Sequence, residues 1–526
     1  MPTSTRASIL LSPIALAVFG GALMGLTVAP FGLWVLAWVA IVPLWVLLGQ
    51  PRSVASTLRI SFAWGIGYYA LALFWITGVH PMTWMGVPWL ASLAIALFCW
   101  IFITLTGTLL VLVWGLCMSW LHTKTQKPIS RILLGTALWC VLEHLWSATP
   151  LWWPWLGLTQ SPHNLIILHL GQLSGPITVA AAIVAVNGCL GEAWLAGRGS
   201  DSPKNSASRY LAMAAVLLVG CHGLGFWLFD RPLASSPETA LNVGIIQGNI
   251  PNEIKLYPGG IRRALEGYVR GYQTLADEGV EVILTPETAL PVLWAQVDGL
   301  GRDTPANHLY QAILERGVPI WVGGFGEQDG DLTNSLFSVG GNGDTLSRYD
   351  KIKLVPLGEY IPFEEALGKI IGRLSPLDAR LVAGKPDQIF ETPFGRAIAA
   401  ICYESAFPQT FQRQAAAGGE FILSAANNAH YAESMPAQHH AQDVMRAIET
   451  DRWAVRATNT GYSAIVDPHG RTQWISGINT YEVHADTIYR RETRTPYTRW
   501  GNFIWIFAQL AIIIVGIIDP PIRKSE

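Results

Sequence analysis

Three residues of this 526-residue sequence have side chains and surroundings suited to acyl chemistry. Cys402 closes the strand-like run "RAIAAIC", Glu287 follows the run "VILTP", and Lys351 lies in "RYDKIKLVPLGEY" just past a β-rich stretch. A thiol, a carboxylate and an ammonium at the ends of central strands supply a nucleophile, a proton acceptor and a cation for a tetrahedral oxyanion. The set predicts a cysteine-based acyl transferase or amidase.

Cys402 is also set apart from the other cysteines. The remaining five lie in apolar stretches, where cysteine behaves as a small hydrophobe: Cys99, Cys117, Cys140, Cys189 and Cys221. A domain outside the cytoplasm normally pairs its cysteines or lacks them. A thiol without a partner in its own compartment therefore indicates a reactive group.

The composition indicates that one part of the chain faces lipid and another part faces water. Hydrophobic residues make up 51% and charged residues only 14%, and the chain contains 23 tryptophans, which is too apolar for an ordinary soluble enzyme. Most charged residues fall within 241–499, which has the composition of a soluble domain. The net charge of -2, without a run of Lys and Arg interleaved with aromatics, excludes nucleic acid as a partner.

The apolar part predicts eight membrane spans, since a crossing takes about 20 apolar residues. They cover approximately 9–28, 31–48, 58–79, 88–120, 132–148, 165–190, 210–229 and 503–518. The long fourth span is taken as one tilted helix. Splitting it would move Lys124, Lys127 and Arg131 to the outer side, against the positive-inside rule.

The distribution of Lys and Arg predicts the orientation. With eight spans, one side receives Arg6, Arg52, Lys124, Lys127, Arg131, Arg198, Lys204, Arg209, Arg523 and Lys524. The loops 80–87 and 152–163 on the other side contain no Lys or Arg. Both termini are therefore expected in the cytoplasm, and the polar domain between the seventh and eighth spans outside it.

Within the polar domain, short β-rich runs alternate with helical patterns. Helical apolar spacing covers 262–279, 307–317 and 441–455, and a hairpin is expected around the turn 468–470. Strand-like runs precede or contain all three candidate catalytic residues. Alternating helices and buried strands predict a layered α/β domain.

Three segments of this domain resemble the signature segments of the nitrilase superfamily. They are "PETALP", "DKIKLVPLGEYIP" and "ICYES", in the order of that family. The resemblance implies a Glu-Lys-Cys triad and an α-β-β-α sandwich. With the eight spans, the whole chain is similar to the bacterial apolipoprotein N-acyltransferases. The fold expected is a polytopic helical membrane protein with an inserted extracytoplasmic nitrilase-like domain, divided into 1–235, 236–500 and 501–526.

The resemblance also implies a reaction in the bacterial inner membrane. Cys402 would take an acyl chain from a phospholipid as a thioester and pass it to the α-amino group of the S-diacylglyceryl-cysteine of an apolipoprotein. Glu287 would be the base and Lys351 would hold the oxyanion, while Glu359, Tyr403 and Glu404 match supporting residues of the family. No cofactor or metal is implied, and we expect a monomer whose partners are the two lipid substrates and membrane lipid, with the catalytic domain on the periplasmic side.

Some positions depart from the family pattern and bear on substrate binding. Leu256 stands where several members carry a tryptophan, Thr285 replaces another common tryptophan, and "NNAHY" is atypical. The candidate substrate-binding residues are Leu256, Leu357, Tyr360, Asn428 and His430. We hypothesise that an apolar lining excludes water from the thioester, with residues such as Leu357, Tyr360, Ile361, Pro362 and Phe363.

Two other functions use the same residues differently. One is a membrane-tethered amidase or hydrolase in which water accepts the acyl group, and the other is a silent nitrilase-like scaffold that recruits a partner. A triacylated lipopeptide product distinguishes the first of these from the transferase, and an acyl adduct on Cys402 excludes the scaffold. The adjacent His439 and His440 suit no single metal site, and we expect surface or capping roles for them.

Overall fold

The computed structural model describes residues 12–125, 127–198, 205–233, 235–299, 304–361, 381–431, 433–504, 506 and 509–510. Most of the predicted eighth span, together with Arg6, Lys204, Pro362, Phe363, Arg523 and Lys524, lies outside the described residues. The rest forms an apolar helical region followed by a two-sheet domain.

The helical region occupies the chain up to Phe229. Its helices are α1 (Pro13–Gly25), α2 (Val42–Leu48), α3 (Val54–Ala72), α4 (Trp89–Lys124), α5 (Pro128–Ser147), α6 (Leu165–Leu168), α7 (Gly171–Ser174), α8 (Pro176–Arg198) and α9 (Ser206–Phe229), with 3-10 helices at Trp34–Trp38, Phe74–Val79, Thr83–Met85 and Leu156–Gln160. Among the described helices, α4, α5, α8 and α9 are long and apolar enough to cross a membrane. Exposed large apolar side chains such as Phe98 and Val219 on α4 and α9 suit contact with lipid.

The predicted sixth span, 165–190, is placed incorrectly. The structure has two short helices, α6 and α7, and then a break at Gly175, whose φ is +74°. The continuous helix α8 starts only at Pro176 and runs to Arg198. Glycine with positive φ followed by proline ends one helix and begins another, and unbroken hydropathy conceals that boundary.

The second part of the chain consists of two sheets and their helices. Its strands are β1 (Ala240–Gln247), β2 (Val282–Leu284), β3 (Ile320–Gln328), β4 (Asp331–Val339), β5 (Thr345–Asp350), β6 (Phe390–Thr392), β7 (Gly395–Ile401), β8 (Phe421–Ala426), β9 (Ala454–Thr458), β10 (Ala464–Val466), β11 (Thr472–Ile475) and β12 (Glu482–Tyr489). Its helices are α10 (Asn252–Lys255), α11 (Pro258–Asp277), α12 (Pro305–Arg316), α13 (Pro408–Ala416), α14 (Ser434–Thr450) and α15 (Pro496–Trp500), with 3-10 helices at Pro237–Thr239, Trp294–Gln296 and Cys402–Ala406.

Each sheet has six strands, and parallel strands form its centre. The orders are β12-β1-β2-β3-β4-β5 and β11-β10-β9-β8-β7-β6. β1, β2 and β3 are mutually parallel, as are β7, β8 and β9, with antiparallel strands outside them. The carboxyl ends of parallel strands meet at one edge. That edge of each sheet contributes residues to the site described below.

The two sheets pack face to face between helical layers. Apolar side chains from both sheets, including Val243, Leu284, Ala399 and Leu423, form the core between them. The amphipathic helices α11 and α12 cover the outer face of the first sheet, and α13 and α14 cover the second. This α-β-β-α layering confirms the predicted fold of the domain.

Helix α14 lies between the second sheet and the apolar helical region. Its Val444 and Ile448 belong to one continuous core that also contains Trp153 and Trp155 from the 150–155 loop. The Gln438 amide donates to the backbone oxygens of Ala29 and Ala72, at 3.0 and 2.9 Å. Both faces of this helix are therefore buried, one by the sheet and one by the helical region.

Candidate active site

Glu287 projects from the segment that follows β2. Its Oε1 accepts hydrogen bonds from Lys351 Nζ at 2.9 Å and Asn334 Nδ2 at 2.7 Å, and its Oε2 accepts one from the Asn427 amide at 2.8 Å. Burial raises the pKa of Glu287, but the Lys351 ammonium outweighs this effect and the pKa falls below its usual value. Glu287 is therefore an ionised carboxylate able to accept a proton.

Lys351 is the residue that follows β5. Its Nζ lies 2.9 Å from Glu287 Oε1 and 3.0 Å from Glu359 Oε1. Burial lowers the pKa of Lys351, but the two carboxylates raise it well above its usual value. The side chain is thus a fixed ammonium, the charge needed near a developing oxyanion.

Cys402 lies at a sharp turn between β7 and the 3-10 helix Cys402–Ala406. Its φ is +53°, a conformation that non-glycine residues rarely adopt. Its Sγ lies 3.8 Å from the Asn427 carbonyl oxygen, and the Asn427 amide binds Glu287. One residue at the end of β8 thus connects the thiol with the carboxylate.

The Cys402 thiol is protonated in the resting site. Burial and the Glu287 carboxylate, opposed by Lys351, together raise the pKa of Cys402 to about 12. A protonated thiol is a poor nucleophile, so the reaction needs a base that removes the proton as the sulfur attacks. Glu287 is the ionised carboxylate in that position.

His439 supports the turn at Cys402. Arg456 donates to Asn428 Oδ1, so the Asn428 amide nitrogen faces His439 Nδ1 at 3.0 Å and donates to it. The ring proton is therefore on Nε2, which donates to the Cys402 carbonyl oxygen at 2.8 Å. Burial lowers the pKa of His439 to about 3, which keeps this tautomer neutral.

Glu404 connects the two segments that carry Lys351 and Cys402. Its carboxylate accepts hydrogen bonds at 2.7–3.2 Å from the Tyr349 hydroxyl and from the backbone N–H groups of Ile352, Lys353 and Ile401. Burial raises the pKa of Glu404 to about 7. This buried carboxylate fixes the backbone on both sides of the site.

Tyr403 joins the site to the helical region. Its hydroxyl donates to the backbone oxygens of Pro150 and Trp152, at 2.7 and 2.9 Å, and its ring stacks on Trp153. The Trp155 indole donates to the Ala406 carbonyl oxygen at 3.0 Å. The turn that carries Cys402 is therefore anchored directly on the 150–155 loop.

The predicted substrate-binding residues occupy two kinds of position. Leu256, Leu357, Tyr360 and His430 are half-buried, and burial and Lys255 lower the pKa of His430 to about 4. Asn428 is buried, and its amide is engaged by His439 and Arg456. Substrate binding by these residues stays a prediction.

Sequence reasoning missed two residues of the site and assigned the wrong role to a third. Asn334 on β4 donates to both Glu287 and Glu359, and Lys255 Nζ donates to the Glu287 backbone oxygen at 3.0 Å. The surface or capping roles expected for His439 and His440 are wrong, because both side chains are buried in the packing around α14; His440 contacts Thr472. Among the described residues, no cluster of His, Cys, Asp and Glu could hold a metal ion.

The fold and this site define a membrane-associated carbon-nitrogen hydrolase-type protein with a cysteine nucleophile. Residues 242–491 match the carbon-nitrogen hydrolase family model, and residues 20–189 match the model of the apolipoprotein N-acyltransferase N-terminal domain. The chain is 58% identical to the apolipoprotein N-acyltransferase of Nostoc sp. over 91% of this chain and 94% of that protein. The chain belongs to the apolipoprotein N-acyltransferase family.

More distant relatives carry the same name. Identity is 48% to the Synechocystis sp. protein, over 94% of this chain and 98% of the relative, and 31% to that of Pseudomonas aeruginosa, over 97% and 96%. A solved amidase from Nesterenkonia sp. matches at 17% identity and a TM-score of 0.37, over 53% of this chain and 99% of that chain. The family assignment establishes a cysteine-based acyl transfer in lipoprotein maturation, with a lipid donor and a lipoprotein acceptor.

Proposed function

We propose that Glu287, Lys351 and Cys402 are the catalytic triad, and that the acyl chain passes through a thioester on Cys402. The observation that carries the proposal is the convergence of the three groups. Lys351 contacts Glu287 directly, and the Asn427 backbone binds both Glu287 and Cys402. The donor is a phospholipid, and the acceptor is the α-amino group of an N-terminal S-diacylglyceryl-cysteine.

In the first half-reaction the thiol displaces the glycerol oxygen of the phospholipid. Glu287 takes the proton from Sγ as the sulfur–carbon bond forms, and Lys351 stabilises the negative charge on the carbonyl oxygen. The carbon–oxygen ester bond then breaks. The proton on Glu287 passes to the departing oxygen, which leaves as a lysophospholipid.

In the second half-reaction the neutral amine of the acceptor attacks the thioester carbonyl. The carbon–nitrogen bond forms, the carbon–sulfur bond breaks, and Glu287 carries one proton from nitrogen to sulfur. A thioester keeps much of the acyl-transfer energy of the ester. The chemistry therefore requires no ATP, metal or other cofactor.

Three further residues support this chemistry. Glu359 is the second carboxylate on Lys351, Glu404 fixes the backbone at Lys351 and Cys402, and Tyr403 anchors the nucleophile's turn on the helical region. The substrates are held by Leu256, Leu357, Tyr360, Asn428 and His430. The half-buried Leu357 and Tyr360 favour contact with an acyl chain.

The membrane arrangement that supports this function has eight spans. The chain divides into 1–235 with seven spans, an extracytoplasmic catalytic domain at 236–500, and an eighth span with a cytoplasmic tail at 501–526. The protein acts as a monomer in the bacterial inner membrane, with both termini in the cytoplasm. The positive-inside distribution of Lys and Arg supports this orientation.

Trapping the intermediate tests the proposed triad. The purified protein is mixed with vesicles of phospholipid carrying labelled acyl chains, and Cys402 is analysed by mass spectrometry. We expect a hydroxylamine-labile adduct that disappears when a diacylated lipopeptide is added and becomes triacylated. Cys402→Ser is expected to lose adduct and product, and release of fatty acid without an adduct contradicts the proposal.

Labelling of intact cells tests the orientation. A membrane-impermeant maleimide is expected to label Lys385→Cys, an exposed position of the catalytic domain, and to spare Thr123→Cys at the cytoplasmic end of α4. Labelling of Thr123→Cys without labelling of Lys385→Cys would indicate the opposite orientation and contradict the proposed one.

A further inference from the structure

Lys255 is a second amine within the active site. It ends the short helix α10, and its exposed fraction of 5% equals that of Cys402. Its Nζ donates to the backbone oxygen of Glu287 at 3.0 Å, whereas Lys351 binds the Glu287 carboxylate. The two lysines therefore contact the same residue in different ways, one through a carbonyl and one through an ion pair.

The surroundings of Lys255 favour a neutral amine more than those of Lys351. The titratable groups that face it are Glu287, Cys402, Lys351 and His430. Burial, opposed by Glu287 and Cys402 and assisted by Lys351, lowers the pKa of Lys255 to about 8. Lys351 by contrast stays a permanent ammonium, because Glu287 and Glu359 both bind it. A buried lysine of this kind can exchange a proton near neutral pH.

The second half-reaction releases one proton for which the triad provides no acceptor. An α-amino group has a pKa of about 7.7–8.0, so a large part of the acceptor arrives as an ammonium. An ammonium plus a thioester gives an amide, a thiol and one free proton. Glu287 carries one proton from nitrogen to sulfur, and the other needs a separate acceptor before the nitrogen lone pair can attack.

We infer that Lys255 is this acceptor: its neutral amine removes one proton from the α-ammonium of the lipoprotein, and the resulting free amine attacks the Cys402 thioester. The inference rests on the thioester and on the role of Glu287 proposed above. In this step an N–H bond of the acceptor breaks and a new N–H bond forms on Lys255 Nζ. The lysine later returns its proton to solvent, and no electrons are gained or lost.

A purely electrostatic role of Lys255 makes a different prediction. A positive charge beside Glu287 and Cys402 acts on both half-reactions, and arginine preserves that charge. Arginine cannot act as a base, because its guanidinium stays protonated. Lys255→Arg therefore separates charge from proton transfer.

The test measures the two half-reactions separately. Full-length protein is loaded with a labelled acyl chain from phospholipid vesicles and then mixed with either a diacylated lipopeptide or hydroxylamine. Hydroxylamine is uncharged at neutral pH and needs no deprotonation. The variants are Lys255→Arg, Lys255→Met and, as a matched control at an exposed lysine, Lys385→Arg.

For Lys255→Arg we expect the thioester to form at close to the parent rate. Transfer to the lipopeptide should fall by about 10²-fold, at the lower end of general-base effects, while cleavage by hydroxylamine is unchanged. Raising the pH above the amine pKa should restore transfer. Unchanged transfer, or an equal fall with hydroxylamine, overturns the inference.

Lys255→Met is the second variant, because the methionine side chain is no larger than that of lysine and fits the buried site. The ratio of hydroxylamine cleavage to lipopeptide transfer should then rise by about 10²-fold, and an unchanged ratio overturns the role as a base. Failure of the parent protein to form any thioester would instead contradict the proposed function. The two failures are therefore distinguishable.

Discussion

Glu287 and Glu359 share both of their side-chain donors. Lys351 Nζ lies 2.9 and 3.0 Å from their Oε1 atoms, and Asn334 Nδ2 lies 2.7 and 2.9 Å from the same two atoms. Two carboxylates can face each other in a buried site only if cationic and polar donors stand between them. The arrangement gives Lys351 a structural role beside the catalytic role proposed above.

Replacing Lys351 with methionine should therefore affect stability and activity together. The change leaves the buried Glu287 carboxylate and the half-buried Glu359 carboxylate around one amide, and breaking a buried pair costs about 3–5 kcal/mol of unfolding free energy. We expect a lower thermal unfolding midpoint and loss of lipopeptide acylation. The exposed Lys385→Met is the control, and it should change neither quantity.

A second substitution separates the two effects of Lys351. Adding Glu359→Gln to Lys351→Met removes one of the uncompensated carboxylates, so the unfolding midpoint should partly recover. Activity should not return, because the Lys351 ammonium proposed to stabilise the oxyanion is still missing. Recovery of acylation in the double variant would contradict a direct role of Lys351.

Glu287→Gln should make the Cys402 thiol more acidic while abolishing acyl transfer. The Glu287 carboxylate raises the pKa of Cys402, and removing a nearby negative charge favours the thiolate. The midpoint of the thiolate absorbance, measured as a difference from the same background with Cys402→Ala, should move to lower pH. A midpoint that is unchanged or higher contradicts the electrostatic coupling of the two residues.

Leu357 offers a test of water exclusion from the thioester. Its φ is +66° and its amide donates to the Tyr360 carbonyl oxygen at 2.7 Å. Asparagine tolerates positive φ better than most residues, so Leu357→Asn adds polarity without added backbone strain. The ratio of free fatty acid to triacylated lipopeptide should rise several-fold. Leu357→Met keeps an apolar side chain and should leave the ratio unchanged, and an unaltered ratio in Leu357→Asn removes support for the hypothesis.

The three positions proposed as catalytic could be singled out from the sequence because each stands at the end of a recognisable strand. "VILTP" and "RAIAAIC" are apolar runs that stop at a chemically distinct residue, and Lys351 follows directly after β5. The parallel arrangement then brings the ends of β7 and β8 together, with Ile401 beside Ala425. Local pattern singled out these residues, and the resemblance to the nitrilase superfamily supplied their proposed roles.

Lys255 and the environment of α14 could not be predicted in the same way. Lys255 lies on a helix of four residues, which is too short to show a period. The polar residues of α14 suggest a solvent-facing side. In the structure, however, Gln438 donates to the helical region and His439 donates to the Cys402 carbonyl oxygen. Sequence periodicity reports which face of a helix is polar, and it does not report which other part of the chain covers that face.

His439 should act as a positioning residue through the carbonyl group of Cys402. His439→Leu leaves that buried oxygen without its 2.8 Å donor, at a cost of about 1–3 kcal/mol, and releases the turn with φ of +53° that aims the thiol. We expect kcat to fall by about 10²-fold with little change in KM, since a small misplacement of a reacting atom has effects of this size. His439→Gln, which retains an N–H donor at a similar reach, should recover much of kcat.

The neighbouring His440→Leu is the control. It removes a comparable buried contact, to Thr472, and should lower stability without lowering kcat. Equal kcat losses in the two leucine variants would show that His439 matters only for stability.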